Sequence, residues 1–274
     1  MSSEEFPETV RDDDPAFDTS RAHHARFYNY LLGGKDHFAA DREYADAVTA
    51  IYPGTAAAAR ANRDFLGRAV RFLASEAGLS QFLDIGTGIP APGSTHEVAQ
   101  QARPDSRVVY VDNDPVVLAH ARALLVAREP GLTEYLDADL RDPGYIIEEV
   151  AKVLDLSRPV GLLLFSVLHA IGDDDDPYAI VAALVDALPG GSYLALSHSA
   201  SDLLSPEENA KFEDLTRQAS HQQYTLRSQS EVARFFDRLD LVSPGVVQVK
   251  DWRPGEGDRP VDVATMWCGV ALKR

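Results

Sequence analysis

The sequence predicts an α/β fold in which helices cover both faces of a mostly parallel sheet. Three observations predict it. The apolar segment 81–85 ends in a glycine turn, the apolar segment 108–111 ends in Asp112, and the apolar run 160–165 has the length of a strand buried on both faces. Such strands, separated by helical segments, form parallel sheets, and 274 residues are enough to bury a full core.

The N-terminal quarter is predicted to be helical. Residues 1–18 are rich in Asp, Glu and Pro, so we expect them to be disordered. The spacing of apolar residues predicts helices at 38–50 and 56–77. We therefore expect residues 19–78 to form a helical cap or lid on a main domain that spans 79–274.

The remaining elements follow in the order of a sheet covered on both faces. Further strands are predicted at 132–136, 160–167 and 192–197. Four consecutive aspartates before a proline predict the start of a helix at 178–188; a metal site there is disfavoured, because consecutive side chains point in different directions. Capping boxes at Ser205 and Ser228 predict two more helices. The apolar segments 241–249 and 263–272 predict an antiparallel final hairpin.

The charge beside the glycine turn indicates which cofactor the sheet edge binds. Asp84 stands two residues before Gly86, where a carboxylate would repel the pyrophosphate of a dinucleotide. S-adenosylmethionine has no phosphate, and its methionine end carries an ammonium group near a cationic sulfonium, so the same carboxylate would attract it. Asp112 can accept hydrogen bonds from both ribose hydroxyls. We expect S-adenosylmethionine as the cofactor, with Asp84 and Asp112 as its two polar anchors.

A dinucleotide site is the competing interpretation. Gly86, Gly88 and Ala91 satisfy the glycine pattern of NAD-binding sheets. Pro90 and Pro92 count against it, because they favour a long loop over a helix that starts at a phosphate. An NAD(P)-dependent oxidoreductase stays open as an alternative, and so does an adenosyl-binding regulator without activity.

Further cofactor contacts are expected where the next strands end. Asp139 follows the third strand and can accept a hydrogen bond from the adenine amine, although a solvated turn explains this acid equally well. The other positions at which we expect cofactor contacts are Asn113, Leu140 and Ser166.

His169 is the candidate general base. It follows the fourth strand, beside the expected position of the methyl group, and an ordinary histidine titrates near neutrality. A structural role, in which the ring bonds a backbone carbonyl, explains His169 equally well. His198 and His221 are weaker candidates, and the pair His23-His24 is expected at the surface.

The order of these motifs resembles a class I S-adenosylmethionine-dependent methyltransferase, a seven-stranded Rossmann-like fold with an antiparallel final strand. The run 25–42 resembles the signature of an actinobacterial family of S-adenosyl methyltransferases that was formerly catalogued as a domain of unknown function. One departure is that a common third glycine of the methyltransferase loop is Pro90 here. The resemblance leaves the acceptor open. It implies cofactor binding by Asp84, Gly86, Gly88, Asp112 and Asp139.

The signature run also invites a physical role. As a hypothesis, it folds over the sheet edge as a lid, with Gly33-Gly34 as a hinge and with Tyr28, Tyr30 or Lys35 reaching the carboxylate of the cofactor. A cap that only packs on the domain is the alternative, since aromatic residues at helical spacing are most often core.

Composition limits the partners. A formal net charge of −17 repels nucleic acid and anionic membranes, so we expect no nucleic-acid or membrane partner and a methyl acceptor that is a small molecule, with a basic protein segment as the alternative. The single cysteine, Cys268, excludes an internal disulfide, and we expect no metal site. Without a membrane-length apolar run or a secretory signal, we expect a cytoplasmic protein. The sequence does not indicate the oligomeric state.

Overall fold

One sheet forms the centre of the fold. A computed structural model describes residues 19–125, 133–220, 223–255, 261–262 and 264–274, so the disorder predicted for 1–18 and the candidate base His221 lie outside the described residues. Within those ranges the strands are β1 (Gln81–Ile85), β2 (Arg107–Asp112), β3 (Thr133–Asp137), β4 (Gly161–Phe165), β5 (Tyr193–Ser199), β6 (Asp240–Leu241), β7 (Val247–Gln248) and β8 (Met266–Leu272). Their spatial order is β3-β2-β1-β4-β5-β8-β6, and β7 also pairs with β8.

The pairing confirms a mostly parallel sheet with an antiparallel final strand. Strands β1 to β5 are joined in parallel, and β8 runs antiparallel to β5, β6 and β7. The first arm of the predicted hairpin is divided into β6 and β7, because residues 242–245 form a turn closed by a 2.9 Å hydrogen bond from the Gly245 N–H to the Val242 carbonyl. The described part of the sheet therefore has eight strands, where seven were predicted.

Helices connect the strands and cover the sheet. In the described residues they are α1 (His24–Leu31), α2 (Ala39–Ile51), α3 (Thr55–Ser75), α4 (Thr95–Ala102), α5 (Pro115–Leu125), α6 (Pro143–Val150), α7 (Pro177–Ala187), α8 (Pro206–Ala219) and α9 (Gln229–Arg234). The predicted capping boxes at Ser205 and Ser228 are confirmed. The aspartate run caps a helix as predicted, since the Asp176 side chain accepts a hydrogen bond from the Ala179 N–H at the start of α7.

The two faces of the sheet carry separate hydrophobic cores. On one face, apolar side chains of α6, α7 and α9, such as Ile146 and Val232, pack against the strands. On the other, α3 and α4 contribute Phe65 and Val98 to a core that also contains Cys268 of β8, which is buried as predicted. Among the helices of the described segments, none combines the length and the apolar character needed to cross a membrane.

A third core holds the cap, defined here as residues 19–52 with α1 and α2. Phe27 and Tyr44 pack together with Phe212 of α8. The fully buried carboxylate of Asp41 accepts hydrogen bonds from the backbone N–H groups of His23 and Phe38 and from Nε of Arg26 at 2.9 Å. One buried acid therefore joins the beginnings of both cap helices.

Candidate active site

A cavity of about 890 Å³ lies between the cap and the carboxyl ends of β1 to β4. This volume is within the range of about 300–1,000 Å³ that is typical of ligand pockets. Residues that follow the strands form the floor, and cap residues such as Tyr28 and Asn29 form the roof. Open α/β sheets bind their ligands in the crevice at this edge.

Asp84 lies near the end of β1 at the bottom of the cavity. Its side chain is 4% exposed and accepts a 2.6 Å hydrogen bond from Oγ1 of Thr95, the first residue of α4. Burial raises the pKa of Asp84 to about 6, and the hydrogen bond from Thr95 and the charge of Arg63 oppose this shift. A cationic ligand group would stabilise the carboxylate form.

The glycine loop after β1 has room for a ligand beside its backbone. Gly86 has φ +74°, and a Cβ atom there would lie 2.2 Å from Val167. Gly88 has φ +65° with open space where its Cβ would stand. Helix α4 begins only at Thr95, which confirms the long loop that Pro90 predicted.

Asp112 ends β2 and faces the glycine loop. Its carboxylate accepts hydrogen bonds from the N–H groups of Gly88 (2.9 Å) and Asp114 (3.0 Å). Burial raises the pKa of Asp112, and those two N–H groups oppose the shift. These bonds fix the carboxylate on the cavity wall, where we predicted a ribose contact.

The part of the cavity wall where we predicted the adenine contact is more exposed than Asp84 and Asp112. Nδ2 of Asn113 donates to Asp139 at 3.0 Å, and the Arg141 N–H donates to the same carboxylate at 2.8 Å. Leu140 is buried beside them on the cavity wall. The adenine contact of Asp139 stays a prediction.

Ser166 lies directly after β4 with a strained backbone. Its φ of 55° is in the left-handed region, which non-glycine residues rarely adopt. Its N–H donates to the Ser197 carbonyl at 3.1 Å and lies equally close to the hydroxyl oxygen of Ser197. The bend places Ser166 and Val167 on the cavity wall, and strain of this kind is common at functional sites.

The cap contributes Tyr28 but neither Tyr30 nor Lys35. Tyr28 lines the cavity; its hydroxyl donates to the Ala59 carbonyl at 3.0 Å and accepts from Nδ2 of Asn62 at 2.9 Å. Tyr30 instead donates to Asp46 at 3.0 Å on the exposed side. Residues two positions apart on a helix do not share a face, so of the three candidates Tyr28, Tyr30 and Lys35 only Tyr28 lines the cavity, and its contact with the cofactor stays a prediction.

Lys35 is also absent from the cavity wall, which the neighbouring Gly33 and Gly34 do line. The glycines have a fixed geometry: Gly33 has φ +80°, and a Cβ atom on Gly34 would lie 2.4 Å from the Asn29 amide. The Gly34 N–H donates to the Asn29 carbonyl at 2.9 Å. A tight turn therefore accounts for this glycine pair, and its role as a hinge stays a prediction.

His169 lies on the cavity wall, but its expected titration near neutrality is wrong. The ring is 4% exposed and is stacked on Tyr224, with ring centroids 4.1 Å apart. Burial holds its pKa well below the usual 6.5, and the neighbouring His24, His198 and Arg227 lower it further. His169 is therefore neutral at pH 7, and its buried Nδ1 has no hydrogen-bond partner within the described residues.

The sequence analysis missed two residues beside His169. His24, expected at the surface, lines the cavity, and its Nε2 donates to the Gln223 carbonyl at 3.2 Å. Tyr224 also lines the cavity and shares a 2.7 Å hydrogen bond with Ser199. Both come from segments far from β4 in the chain, so local pattern gave no signal for them.

Arg227 supports the turn that carries His169. Its guanidinium is buried and donates to the carbonyls of Leu168 (3.1 Å) and Ile171 (3.0 Å), to Nε2 of His198 (2.9 Å) and to Asp173 (2.6 Å). One buried side chain therefore holds both ends of the turn from Leu168 to Ile171.

The wall fits S-adenosylmethionine. Asp84 and Asp112 offer carboxylates to an ammonium group and to ribose hydroxyls, and Gly88 leaves the space of a missing Cβ. Oδ1 of Asn62 is buried and, within the described residues, lacks a partner, so it can accept a hydrogen bond from a ligand. No group of three or more His, Cys, Asp or Glu side chains in the described ranges could hold a metal ion.

Fold and site together define the class of S-adenosylmethionine-dependent methyltransferases. The S-adenosyl methyltransferase family model matches residues 11–274, and the chain belongs to this family. Its cofactor is S-adenosylmethionine, so an NAD(P)-dependent oxidoreductase is no longer an alternative. No curated protein matches the chain in sequence.

Solved structures agree with this family. A DUF574 family protein from Streptomyces avermitilis MA-4680 is 44% identical, with a TM-score of 0.87 over 94% of this chain and 99% of that chain. A candidate methyltransferase from Thermobifida fusca YX is 41% identical, with a TM-score of 0.86 over 97% and 100%. An O-methyltransferase family protein from Burkholderia thailandensis, 14% identical with a TM-score of 0.51 over 76% and 55%, shares the fold alone.

Proposed function

We propose that this methyltransferase acts on a small molecule that binds beneath the cap, beside His169. The observation that supports the proposal is the position of the cap, whose residues line the same cavity as the ends of β1 to β4. A roofed cavity of about 890 Å³ favours a compact acceptor. The net charge of −17 disfavours nucleic acid as the acceptor.

Binding and alignment are the main tasks of the protein in this reaction. S-adenosylmethionine supplies a methyl group that is activated by its sulfonium. We propose that Asp84 attracts the ammonium end, that Asp112 accepts hydrogen bonds from the ribose and that Asp139 contacts the adenine. With the cofactor fixed at three points, the acceptor has to be held in line with the methyl group. In the best cases such alignment lowers the reaction barrier by about 7–11 kcal/mol.

We propose His169 as the hydrogen-bonding residue on the acceptor side. In its neutral form the ring can orient an acceptor, but burial, and beside it the neighbouring Arg227, oppose the imidazolium that a general base would become. Ionisation of His169 should therefore make no contribution to the pH dependence of the turnover rate between pH 6 and pH 8. If the rate instead falls as the pH drops through 6.5, and if the His169→Gln variant lacks this pH dependence, His169 is a general base.

Methyl-labelled S-adenosylmethionine tests the proposal. The purified protein is incubated with it and a cell extract, and the products are separated by size. We expect the label in the small-molecule fraction, and much less of it with Asp112→Ala, which has a weakened cofactor site. Label found mainly in protein or nucleic acid would contradict a small-molecule acceptor.

A further inference from the structure

Arg63 of α3 lines the cavity beside the loop that follows β1. One guanidinium nitrogen donates to the Pro92 carbonyl of that loop at 3.2 Å. Within the described residues, no carboxylate forms an ion pair with Arg63. A guanidinium carries several N–H donors and stays charged at neutral pH. Arg63 therefore has donors and a positive charge to offer a ligand.

The second cationic side chain of the wall is already engaged. Among the described residues, Arg141 is the one other arginine or lysine that lines the cavity. Its guanidinium donates to Asp175 at 3.0 Å, to Asp139 at 3.3 Å and to the Ala170 carbonyl at 3.1 Å. Arg141 also follows β3, on the side of the cavity where we predicted the adenine.

The histidines of the wall do not replace Arg63 as a cation. Burial lowers the pKa of His24 to about 4 and holds the pKa of His169 well below its usual value, so both rings are neutral at pH 7. Nδ1 of His23 lies 2.7 Å from the carboxylate of Asp114, which already occupies it. Arg63 is therefore the charge on this wall that a ligand anion can pair with.

The neighbours of Arg63 suit a ligand that carries both charges. The positive charge of Arg63 opposes the rise in the pKa of Asp84 and of Tyr28, so its guanidinium lies close enough to act on both. The preceding residue, Asn62, has a buried Oδ1 that lacks a partner within the described part of the chain. The methionine end of S-adenosylmethionine carries an ammonium and a carboxylate on one carbon. Asp84 and Arg63 present the opposite charges.

The residues that the sequence offered for the cofactor carboxylate are less suitable. Tyr30 and Lys35 do not line the cavity. The Tyr28 hydroxyl already donates its proton to the Ala59 carbonyl at 3.0 Å, so a carboxylate would have to displace that bond. Arg63 can donate to a carboxylate without losing its bond to the loop, because it has further N–H groups.

We propose that Arg63 binds the carboxylate of S-adenosylmethionine while Asp84 binds the ammonium group on the same carbon. The inference rests on one part of the proposed function, the contact of Asp84 with the ammonium group, and it is independent of the acceptor. A planar guanidinium can donate to both oxygens of a carboxylate, which fixes direction as well as charge. Arg63 would therefore distinguish the cofactor from sulfonium nucleosides that lack a carboxylate.

Decarboxylated S-adenosylmethionine tests the inference. In this analogue hydrogen replaces the carboxylate, whereas the adenine, the ribose, the sulfonium and the amine are kept. Both ligands are titrated by calorimetry into the full-length protein at pH 7.5. We expect S-adenosylmethionine to bind about tenfold or more tightly than the analogue, because the analogue forms no charge-assisted hydrogen bonds with Arg63.

Variants of α3 locate the effect. Arg63→Gln should weaken S-adenosylmethionine binding by about tenfold or more and reduce the preference to within about threefold. It should bind the analogue as well as the wild-type protein does, or better, because the ammonium and sulfonium no longer face a guanidinium. Arg63→Lys should restore part of the preference, since it keeps the charge without the planar fork. Arg60→Gln is the matched control: it removes the same charge from an exposed position of α3 outside the cavity wall.

Equal affinity of the wild-type protein for both ligands would overturn the inference. So would an undiminished preference in Arg63→Gln, or an equal loss of affinity for both ligands, which a purely structural arginine predicts. Asp84→Asn tests the supporting assignment separately. It should weaken both ligands alike, because both carry the ammonium group. Unchanged binding in Asp84→Asn would contradict the proposed function of Asp84, whereas the comparison of the two ligands would still measure the contribution of Arg63.

Discussion

The two halves of the cavity are built in different ways. On the cofactor half, Asp84, Asp112 and Asp139 each stand at or just after the end of a strand, and neighbouring parallel strands bring them together. On the acceptor half, His24 and Tyr224 come from the cap and from the segment after α8. The carboxylates of the cofactor half are therefore brought together by the sheet, whereas the acceptor half depends on how distant segments pack.

This difference suggests that the two halves respond separately to substitution. Changes in the cap should disturb the acceptor half and leave the sheet edge folded. Changes at the strand ends should weaken cofactor binding with little effect on the cap.

The largest effect is expected from Asp41→Asn in the cap. The substitution leaves the guanidinium of Arg26 buried without its carboxylate, and loss of one partner of a buried pair typically costs about 3–5 kcal/mol. The free energy of unfolding, from denaturant titration, measures the loss. Asp214→Asn is the control, because its pair with Arg217 is 65–72% exposed and should change stability by less than about 0.5 kcal/mol. Equal stability of the two variants would show that the cap does not depend on this pair.

The second largest effect is expected from loss of Asp112, the proposed ribose contact. Asp112→Ala removes the acceptor of a charge-assisted hydrogen bond, which is worth about 1.5–3 kcal/mol, so the Kd for S-adenosylmethionine should rise roughly tenfold to a hundredfold. Calorimetric titration measures the change. Asp137→Ala is a close control, since Asp137 ends the adjacent strand but is exposed and does not line the cavity. An unchanged Kd in a folded Asp112→Ala protein would refute the assignment.

A smaller effect is expected from pH. Because burial raises the pKa of Asp84 to about 6, its carboxylate is charged above pH 6 and becomes protonated as the pH falls. Cofactor affinity should therefore fall from pH 7 to pH 5, by up to about tenfold per pH unit, while the cofactor ammonium stays charged. The pKa of Asp112 is also raised, so Asp84→Asn is needed to isolate the contribution of Asp84. A parallel decline in Asp84→Asn would rule out Asp84 as its source.

The smallest effect is expected from Tyr30→Phe and Lys35→Ala. Neither residue lines the cavity, and the Tyr30 hydroxyl donates to the exposed Asp46. Cofactor affinity should stay within about twofold and stability within about 0.5 kcal/mol. A large loss of affinity in either variant would show that the cap closes further over the cofactor than the structure indicates.

The sequence predicts that Asp84 and Asp112 lie together at one sheet edge, because strand ends are visible in it. Asp84 and Asp112 follow apolar segments of strand length, and the carboxyl ends of neighbouring parallel strands meet at one edge. The sequence does not distinguish Tyr28, which lines the cavity, from Tyr30, which does not, because a run of aromatic residues shows where a helix lies but not which side faces a ligand. The low pKa of His169 is not predictable, since it depends first on burial of the ring and then on His24, His198 and Arg227, which only the folded chain brings together.

The buried Asp41 also determines where the chain can be cut and rejoined. A chimera with a junction between Arg26 and Asp41 would take the two partners from different parents, whereas a junction at Gly54, between α2 and α3, inherits the pair intact. The cap also bonds α8, where the Tyr44 hydroxyl lies 2.7 Å from Oγ1 of Thr216. A chimera that replaces the cap therefore has to replace α8 from the same parent, or the cap meets a foreign surface at this contact.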